Sequence, residues 1–339
     1  MSTKRITVIG DGAMATVCAM LLDSQGHRVT LWGPFADHIG QMASTRRNDR
    51  YLPGTPLPQS LQFSADDDEV MRDAELVVSA TPTQFKRRVW GRLAGGISAG
   101  VPVVSVAKGV ENDTLLRPTQ IIDEVLSAAG KKDHALAALC GPTIARELER
   151  HLPATVCVAT SDDGFAQALQ EAFTTTWFRV YTHDDLVGVE LAAATKNVIA
   201  LAAGILDGLQ AGNNAKSALL SRGLAEITRL GVAMGARQET FFGIAGVGDL
   251  ATTCFSPEGR NRSAGEMLGK GQKLDAVLEE IQGVVEGVPT TRSVMQLAQQ
   301  TDVEMPITAA VNAVLFEGLD PIEGIAMLMQ RQPKAERVG

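Results

Sequence analysis

A glycine turn near the beginning of the chain constrains the fold more than any other feature. Residues 5–10, RITVIG, are strand-like, AMATVCAMLLDSQG has helical spacing, and HRVTLWG is a second strand. Between the first strand and the helix, Gly10, Gly12 and Ala15 fit the pattern G-x-G-x-x-G/A. This β-α-β unit predicts a parallel sheet, because parallel neighbours need a helical crossover between them.

Later apolar runs extend the predicted sheet. They are short and unbroken, as in strands covered on both faces, and they lie at 74–82, 101–109, 134–142 and 154–160. Helical segments between several of them, such as TLLRPTQIIDEVLSAAG, predict a mostly parallel, doubly wound sheet. From about Asp184 the sequence changes to Ala- and Leu-rich helical stretches. The predicted fold class is therefore α/β, with a doubly wound Rossmann-type N-terminal domain and an all-α C-terminal domain.

The domain boundaries follow from this change in sequence. A chain of 339 residues is about twice the usual length of one domain. We predict a dinucleotide-binding domain over 1–185, an all-α substrate and catalytic domain over 186–332, and a polar tail over 333–339. Within the second domain we expect a first helix over about 186–210, a second over 215–235, a glycine-rich turn region over 243–265, and two or three helices to about 330.

Composition excludes several classes of partner. A net charge of −8 disfavours binding to nucleic acid or to an anionic membrane. The four cysteines have no C-x-x-C spacing and the N-terminus lacks a signal-peptide pattern, which favours a cytoplasmic protein with reduced thiols. The apolar run 198–206 is far shorter than the roughly 20 residues of a membrane span, so we expect a core helix and no integral membrane segment. The histidines lack metal-ligand spacing, so no metal is predicted.

The glycine pattern predicts dinucleotide binding. The first glycine permits a tight turn, the second lets the backbone approach a pyrophosphate, and a small third residue lets helix and strand pack closely. The N-terminus of the helix supplies N–H groups for the phosphates. The usual ribose-binding acid is missing from the end of VTLWGPF, and no arginine follows there for a 2′-phosphate. The nearest basic pair is Arg46 and Arg47, so both NAD and NADP remain possible.

Lys196 is the candidate acid and base. Hydride transfer to a ketone leaves charge on the oxygen, so the site needs a proton donor, and a lysine serves if its pKa falls to roughly 7 to 8. In ELAAATKNVIALAAGI, the helical period puts Ile199, Ala200 and Ala203 on the face of Lys196, and Asn197 next to it offers a donor and an acceptor. Periodicity alone favours a lysine that extends from the helix edge to solvent, so catalysis by Lys196 is a hypothesis at this point.

Further polar residues follow the predicted strands. Lys108 in VAKGVE lies just past one strand, and Gly141 and Thr143 in LCGPTIARE follow the next. In doubly wound sheets, ligands collect at these carboxyl ends. A solvated loop cation would occupy the position of Lys108 equally well.

Three candidates lie in the predicted helical domain. Asp249 falls in the glycine-rich GIAGVGDLATTC, where an aspartate also serves as a turn former or helix cap. Arg260 and Asn261 in EGRNR are residue types suited to phosphate and amide contacts. A solvated loop has the same composition, so the residues alone leave both interpretations open.

Taken together, these stretches resemble the NAD(P)-dependent glycerol-3-phosphate dehydrogenase family of bacterial type. The resemblance runs over nearly the whole chain, through YLPGTPLP, VAKGVE, CGPTIARE, TKNVIALAAGILDGL, GNNAKSALLSRGLAEITRLG, GIAGVGDLATTC, GRNR and VVEGVPT, in the family's order. It implies a cytoplasmic homodimeric oxidoreductase that interconverts dihydroxyacetone phosphate and sn-glycerol 3-phosphate with NAD or NADP. The product would feed glycerophospholipid synthesis.

The resemblance also implies roles for individual residues. It implies that Lys196 is the catalytic acid and base, with Asp249 beside it, both at the substrate. Further residues are implied at the substrate, namely Lys108, Gly141, Thr143, Arg260 and Asn261. Residues implied along the cofactor are Gly10, Gly12, Ala13, Met14, Ala15, Lys108, Ala145, Arg260, Val284 and Glu286.

Three positions depart from the family pattern. Where the family has G-x-G-S-[WY]-G, this chain has A-M-A at 13–15 in place of the last three residues. Where the family has S-R-N, this chain has Gly259 in place of the serine. Where the family has G-G-A-L-K-N, this chain has alanines at 192–193 in place of the two glycines. Lost hydrogen bonds of roughly 0.5–1.5 kcal/mol each would weaken binding without abolishing chemistry. These departures keep two alternatives open: a related two-domain dehydrogenase acting on another small hydroxy acid or phosphate, and a nucleotide-binding sensor that has lost catalysis.

Overall fold

The apolar runs of the first part of the chain form one large sheet. The computed structural model describes residues 3–333 and 335–336, so residues 334 and 337–339 of the predicted tail lie outside the described residues. The strands, in chain order, are β1 Arg5–Ile9, β2 Arg28–Trp32, β3 Arg47–Asn48, β4 Leu52–Pro56, β5 Gln62–Ser64, β6 Leu76–Ser79, β7 Val103–Ser105, β8 Leu136–Cys140, β9 Ala154–Ala159 and β10 Phe178–His183.

In the described chain, eight strands pair in the order β10-β9-β8-β7-β6-β1-β2-β5. Every pairing in this sheet is parallel except that of β8 with β9. All six predicted strands are present, as β1, β2 and β6 to β9, whereas the edge strands β5 and β10 were not predicted. An edge strand such as β10 alternates buried and exposed residues and so lacks an unbroken apolar run.

Helices cover both faces of this sheet. Leu76 and Val78 of β6 belong to one buried cluster and Val77 between them to another, because successive side chains of a strand point to opposite faces. The predicted doubly wound fold is therefore confirmed. The helices are α1 Ala13–Ser24, α2 Ala36–Thr45, α3 Asp67–Arg72, α4 Thr83–Leu93, α5 Pro118–Ala128, α6 Ala145–Leu148 and α7 Asp163–Phe173.

The described chain divides into two compact units. The first contains the residues up to Ala107 together with Pro118–Leu186, and the second contains Lys108–Arg117 together with the residues from Val187 onward. The second unit is helical, which agrees with the predicted class. Its helices are α8 Leu186–Gly208, α9 Gly212–Ala233, α10 Asp249–Phe255, α11 Arg260–Gly269, α12 Leu274–Glu280, α13 Gly287–Gln300, α14 Pro306–Phe316 and α15 Pro321–Met329.

The glycine-rich region 243–265 is more helical than predicted. A 3₁₀ turn, Gln238–Phe242, and a π-helical turn, Ile244–Gly248, lead directly into α10, and α11 begins at Arg260. Leu250 and Cys254 of α10 are buried in the helical core. Burial of these apolar side chains outweighs the local turn tendency of the glycines.

Helix α8 is the central helix of the second unit. Among the described residues it is the one helix long and apolar enough to cross a membrane, and its apolar window is 100% buried in the structure. It crosses α11 very closely, because a Cβ on Gly204 would overlap the Arg262 carbonyl and a Cβ on Gly265 would overlap the Leu201 carbonyl. Small residues at this crossing therefore fix the distance between the two helices.

Candidate active site

The buried lysine of α8 joins the first residue of α10. Lys196 Nζ donates to Asp249 Oδ1 at 2.8 Å and also to the Thr253 hydroxyl oxygen. The Thr253 hydroxyl in turn donates to the Asp249 carbonyl at 2.7 Å. Lys196 and Asp249 have side chains only 5% and 2% exposed, so the pair is shielded from water and its electrostatic interactions are strong.

A second lysine shares the same carboxylate. Lys108 Nζ donates to Asp249 Oδ2 at 2.8 Å, so Asp249 bridges two ammonium groups. Asn197 Nδ2 donates to the Lys108 carbonyl at 2.9 Å and so fixes the Lys108 backbone beside α8. The Lys108 side chain is 18% exposed against 5% for Lys196. We call Lys108, Lys196, Asp249 and Thr253 the Asp249 cluster.

The electrostatics of the cluster favour proton transfer near neutral pH. The pKa of Lys196 is lowered from its ordinary value of 10.5 to about 8, mainly because the side chain is buried. The Asp249 carboxylate raises this pKa, and the Lys108 cation lowers it further. The neighbouring Cys254 thiol is neutral, since burial raises its pKa to about 12. A lysine with this pKa both donates and accepts a proton at accessible pH, as the predicted acid and base requires.

The predicted phosphate residues lie where α11 begins. Asn261 Oδ1 accepts a hydrogen bond from the backbone N–H of Gly287 at 2.9 Å, and the Arg260 guanidinium lies against Gly283. The loop before α13 carries Val284 and Glu286. Four predicted residues therefore lie near one another, namely Arg260, Asn261, Val284 and Glu286.

The departure at Gly259 falls on a helix cap. Gly259 is the N-cap of α11, and no described side chain caps this helix there. A serine would cap the first turn, whereas glycine in its place costs only a few tenths of a kcal/mol. Glycine in place of serine at position 259 therefore changes the cap of α11 and leaves Arg260 and Asn261 in the first turn of the helix.

The alanines at 192–193 are accommodated within α8. Ala192 and Ala193 are fully buried, and the helix continues without interruption to Gly208. Lys196 still reaches Asp249 at 2.8 Å. The alanines therefore leave the ion pair intact.

In the first unit, the predicted nucleotide turn, Gly10–Ala15, leads from β1 into α1. Gly10 has φ +125°, and α1 begins at Ala13 with Gly12 as its N-cap. Apart from Gly12 itself and its two chain neighbours, no described residue has an atom within 4 Å of a Cβ placed on Gly12, and no described side chain caps α1 there. The turn therefore has room beside the backbone and uncapped N–H groups at the start of α1, which is compatible with a dinucleotide. Buried Ala15 is the small residue packed between helix and strand.

The remaining predicted residues of the first unit follow β8. Thr143 donates its hydroxyl to the Gly141 carbonyl at 3.1 Å, and Ala145 is the first residue of α6. Strands β1, β6, β7 and β8 are parallel, so their carboxyl ends lie at the same edge of the sheet. Gly141 and Thr143 therefore follow β8 at the edge at which the nucleotide turn follows β1.

Two residues of α8 and α10 have contacts that were not predicted, Glu190 and Thr253. Thr253 lies one helical turn after Asp249, so the i, i+4 spacing was the signal available for it. The Glu190 carboxylate, fully buried, pairs with Arg117 at 2.5 Å. This pair ties the end of the segment Lys108–Arg117 to α8.

No group of three or more His, Cys, Asp or Glu side chains suited to a metal occurs within residues 3–333 and 335–336. The absence of a metal stays a prediction. All four cysteines are buried free thiols in the structure.

The chain is similar to glycerol-3-phosphate dehydrogenases along nearly its whole length. Residues 5–166 match the model of the NAD-dependent glycerol-3-phosphate dehydrogenase N-terminus, and residues 185–326 match that of the C-terminus. A relative from Syntrophotalea carbinolica named glycerol-3-phosphate dehydrogenase (NAD(P)+) is 46% identical over 98% of this chain and 99% of its own. One of the same name from Listeria monocytogenes is 42% identical over 99% of both chains. The crystal structure of glycerol-3-phosphate dehydrogenase from Coxiella burnetii has a TM-score of 0.92 at 34% identity, over 97% of this chain and 99% of that one.

Proposed function

The chain belongs to the NAD-dependent glycerol-3-phosphate dehydrogenase family, and from this premise we propose how its residues carry out the reaction. It is an oxidoreductase that interconverts dihydroxyacetone phosphate and sn-glycerol 3-phosphate with NAD(P)H, and its product feeds glycerophospholipid synthesis. The observation that carries the mechanism is the buried Lys196, whose pKa of about 8 lies near physiological pH.

Lys196 is the acid and base of the proposed mechanism. NAD(P)H, when bound, supplies the hydride that reduces the carbonyl carbon of the substrate. The Lys196 ammonium donates a proton to the substrate oxygen, and in the reverse direction the neutral amine removes it. Asp249 holds both lysines in place, and Lys108 adds positive charge that favours the neutral form of Lys196.

The other predicted residues bind and orient the ligands in this proposal. Arg260 suits the substrate phosphate, because a guanidinium binds phosphate oxygens through two parallel hydrogen bonds, and Asn261 lies beside it. Lys108, Gly141 and Thr143 complete the proposed substrate contacts. The proposed cofactor contacts are Gly10, Gly12, Ala13, Met14, Ala15, Lys108, Ala145, Arg260, Val284 and Glu286.

The proposal extends to the state of the protein. The substrate is a small molecule, and we propose a cytoplasmic homodimer without nucleic-acid partners and without an integral membrane segment. The negative net charge supports the absence of nucleic-acid partners. The exposed apolar side chains of Ile322, Met327 and Met329 on α15 support the homodimer, because they suit a contact with a second copy. In solution, light scattering should give about twice the chain mass of 35.9 kDa.

One assay tests the function against its alternatives. Oxidation of NADH and of NADPH is followed at 340 nm with dihydroxyacetone phosphate and with other small phosphorylated and unphosphorylated ketones. We expect turnover with dihydroxyacetone phosphate. Turnover only with another ketone would assign the chain to a related reaction, and cofactor binding without any turnover would make it a nucleotide sensor.

A further inference from the structure

The carboxyl end of β2 lacks the acid that commonly binds the ribose of NAD. In dinucleotide-binding folds this acid hydrogen-bonds the ribose 2′-hydroxyl. Here β2 ends at Trp32 and Gly33 follows. A Cβ on Gly33 would lie 2.8 Å from the Asp11 Cβ and 2.7 Å from Ile39 Cδ1. The Asp11 side chain therefore begins directly beside the place where a side chain at position 33 would begin.

Asp11 is held firmly in this place. It lies between the two glycines of the nucleotide turn, and the Gly10 N–H donates to the Trp32 carbonyl at 2.8 Å, which joins the end of β1 to that of β2. Asn48, fully buried, donates to the Asp11 carbonyl at 2.9 Å. His38 Nδ1 lies 2.9 Å from Asp11 Oδ2. A carboxylate accepts at both oxygens, so Asp11 can take a further hydrogen bond from a hydroxyl.

The basic pair Arg46 and Arg47, which follows α2, is directed elsewhere. Arg46 Nη1 donates to the Leu61 carbonyl at 2.6 Å, and Arg47 Nε pairs with Asp49 at 3.1 Å. A 2′-phosphate in this place would therefore face the Asp11 carboxylate, and like charges repel. A ribose 2′-hydroxyl would instead donate a hydrogen bond to it.

We propose that Asp11, positioned by His38 and Asn48, is the ribose-recognition acid of this chain and selects NAD over NADP. Asp11 lies in the turn that follows the neighbouring strand β1, and from there it replaces the acid that is missing at the end of β2. The inference rests on the proposed function, because the choice matters only if the chain binds a nicotinamide dinucleotide.

A binding titration tests the proposal without relying on turnover. Dissociation constants of NADH and NADPH are measured by cofactor fluorescence for the full chain, for Asp11→Asn, and for Asp37→Asn as the matched control. Asp37 is an exposed acid in the first turn of α2, next to His38. We expect the full chain to bind NADH at least about tenfold tighter than NADPH, and Asp11→Asn to reduce this ratio by about tenfold or more, as for a hydrogen bond to a charged group. Asp37→Asn should leave the ratio unchanged.

The outcomes separate the two proposals. Binding of neither cofactor would contradict the proposed function itself. Equal binding of both cofactors by the full chain, an unchanged ratio in Asp11→Asn, or a larger change in Asp37→Asn would overturn only the role of Asp11. Thermal melting checks that Asp11→Asn is folded; if it is not, Asp11→Ser is measured in its place with the same expected change in ratio.

Discussion

The nucleotide turn and the Asp249 cluster are built in opposite ways. The turn consists of six consecutive residues, Gly10–Ala15, and its shape comes from backbone angles and from the start of α1. The cluster joins Lys196 to Asp249 across 53 residues of sequence and Lys108 to Asp249 across 141. Its side chains meet only because α8, α10 and the segment Lys108–Arg117 pack together in one unit.

Because of this difference, we expect the turn to contribute to cofactor binding and the cluster to contribute to proton transfer. The turn offers backbone N–H groups and space, both of which depend on the conformation of the backbone. The cluster offers a lysine whose pKa depends on burial and on two neighbouring charges. Changes in the turn should therefore affect cofactor affinity, and changes in the cluster should affect the proton-transfer step.

The largest expected effect is that of Lys196→Met. Methionine keeps an unbranched apolar chain of nearly the same length and removes the ammonium, so general acid catalysis is lost and kcat should fall by about 10²- to 10⁴-fold. The dissociation constant of NADH, measured by fluorescence, should stay within about twofold, because this residue contributes chemistry rather than cofactor binding.

An exposed lysine provides the control for this change. Lys270→Met removes the same charge from a side chain that is 57% exposed and paired with Glu266. It should leave kcat close to that of the unchanged chain. A comparable loss in both variants, or a Lys196→Met enzyme with normal kcat, would rule out Lys196 as the acid and base.

The close crossing of α8 and α11 should be the next most sensitive point. Gly204→Ala places a Cβ into the Arg262 carbonyl, so the two helices must separate, and the free energy of unfolding should fall by about 1–3 kcal/mol. Chemical denaturation measures this. Because α11 begins with Arg260 and Asn261, the KM for dihydroxyacetone phosphate should rise as well.

Gly91→Ala in α4 is the matched control for the crossing. No described atom lies within 4 Å of a Cβ on Gly91. Here alanine should stabilise the protein by about 0.5–1 kcal/mol, because it loses less backbone entropy in a helix than glycine does. The same chemical change should thus have opposite signs at the two sites, and equal signs would contradict the close packing.

Two glycines of the nucleotide turn should respond differently to alanine. Gly12 has φ −76° and open space around its Cβ position, so Gly12→Ala should keep its melting temperature while the NADH dissociation constant rises by about tenfold, as the methyl group meets the pyrophosphate. Gly10 has φ +125° and a Cβ would lie 3.1 Å from the Ala80 carbonyl oxygen, so Gly10→Ala should lower stability by about 1–3 kcal/mol. Normal cofactor affinity in Gly12→Ala would contradict the assignment of the turn.

The smallest expected effect is a shift in pH dependence. With the pKa of Lys196 at about 8, kcat/KM for ketone reduction should fall as the pH rises through this value, because only the ammonium donates a proton. Oxidation of glycerol 3-phosphate should rise through the same range. Lys108→Met removes a cation that lowers this pKa, so both midpoints should move to higher pH. A shift to lower pH would show that Lys108 does not act on Lys196 in this way.

Much of the fold was predictable because its signals are local. The apolar runs at 74–82 and 101–109 become buried strands because both of their faces are covered. Local signals failed at 243–265, where glycines predicted a turn region and the burial of Leu250 and Cys254 produced α10. The edge strand β10 was missed because its half-exposed residues interrupt the apolar run.

In the stretch ELAAATKNVIALAAGI, the sequence determines the helix and the tertiary structure determines the roles of its polar residues. Its residues determine a long apolar helix by themselves, since helical propensity and periodicity depend on neighbours in the chain. They do not determine the roles of Glu190, Lys196 and Asn197, because a buried charge or amide is stable only with partners. Those partners are Arg117, Asp249 and the Lys108 carbonyl, all distant in sequence. Only their convergence in the folded unit buries Lys196 among charges and lowers its pKa, since Coulomb interactions and desolvation depend on distance in space.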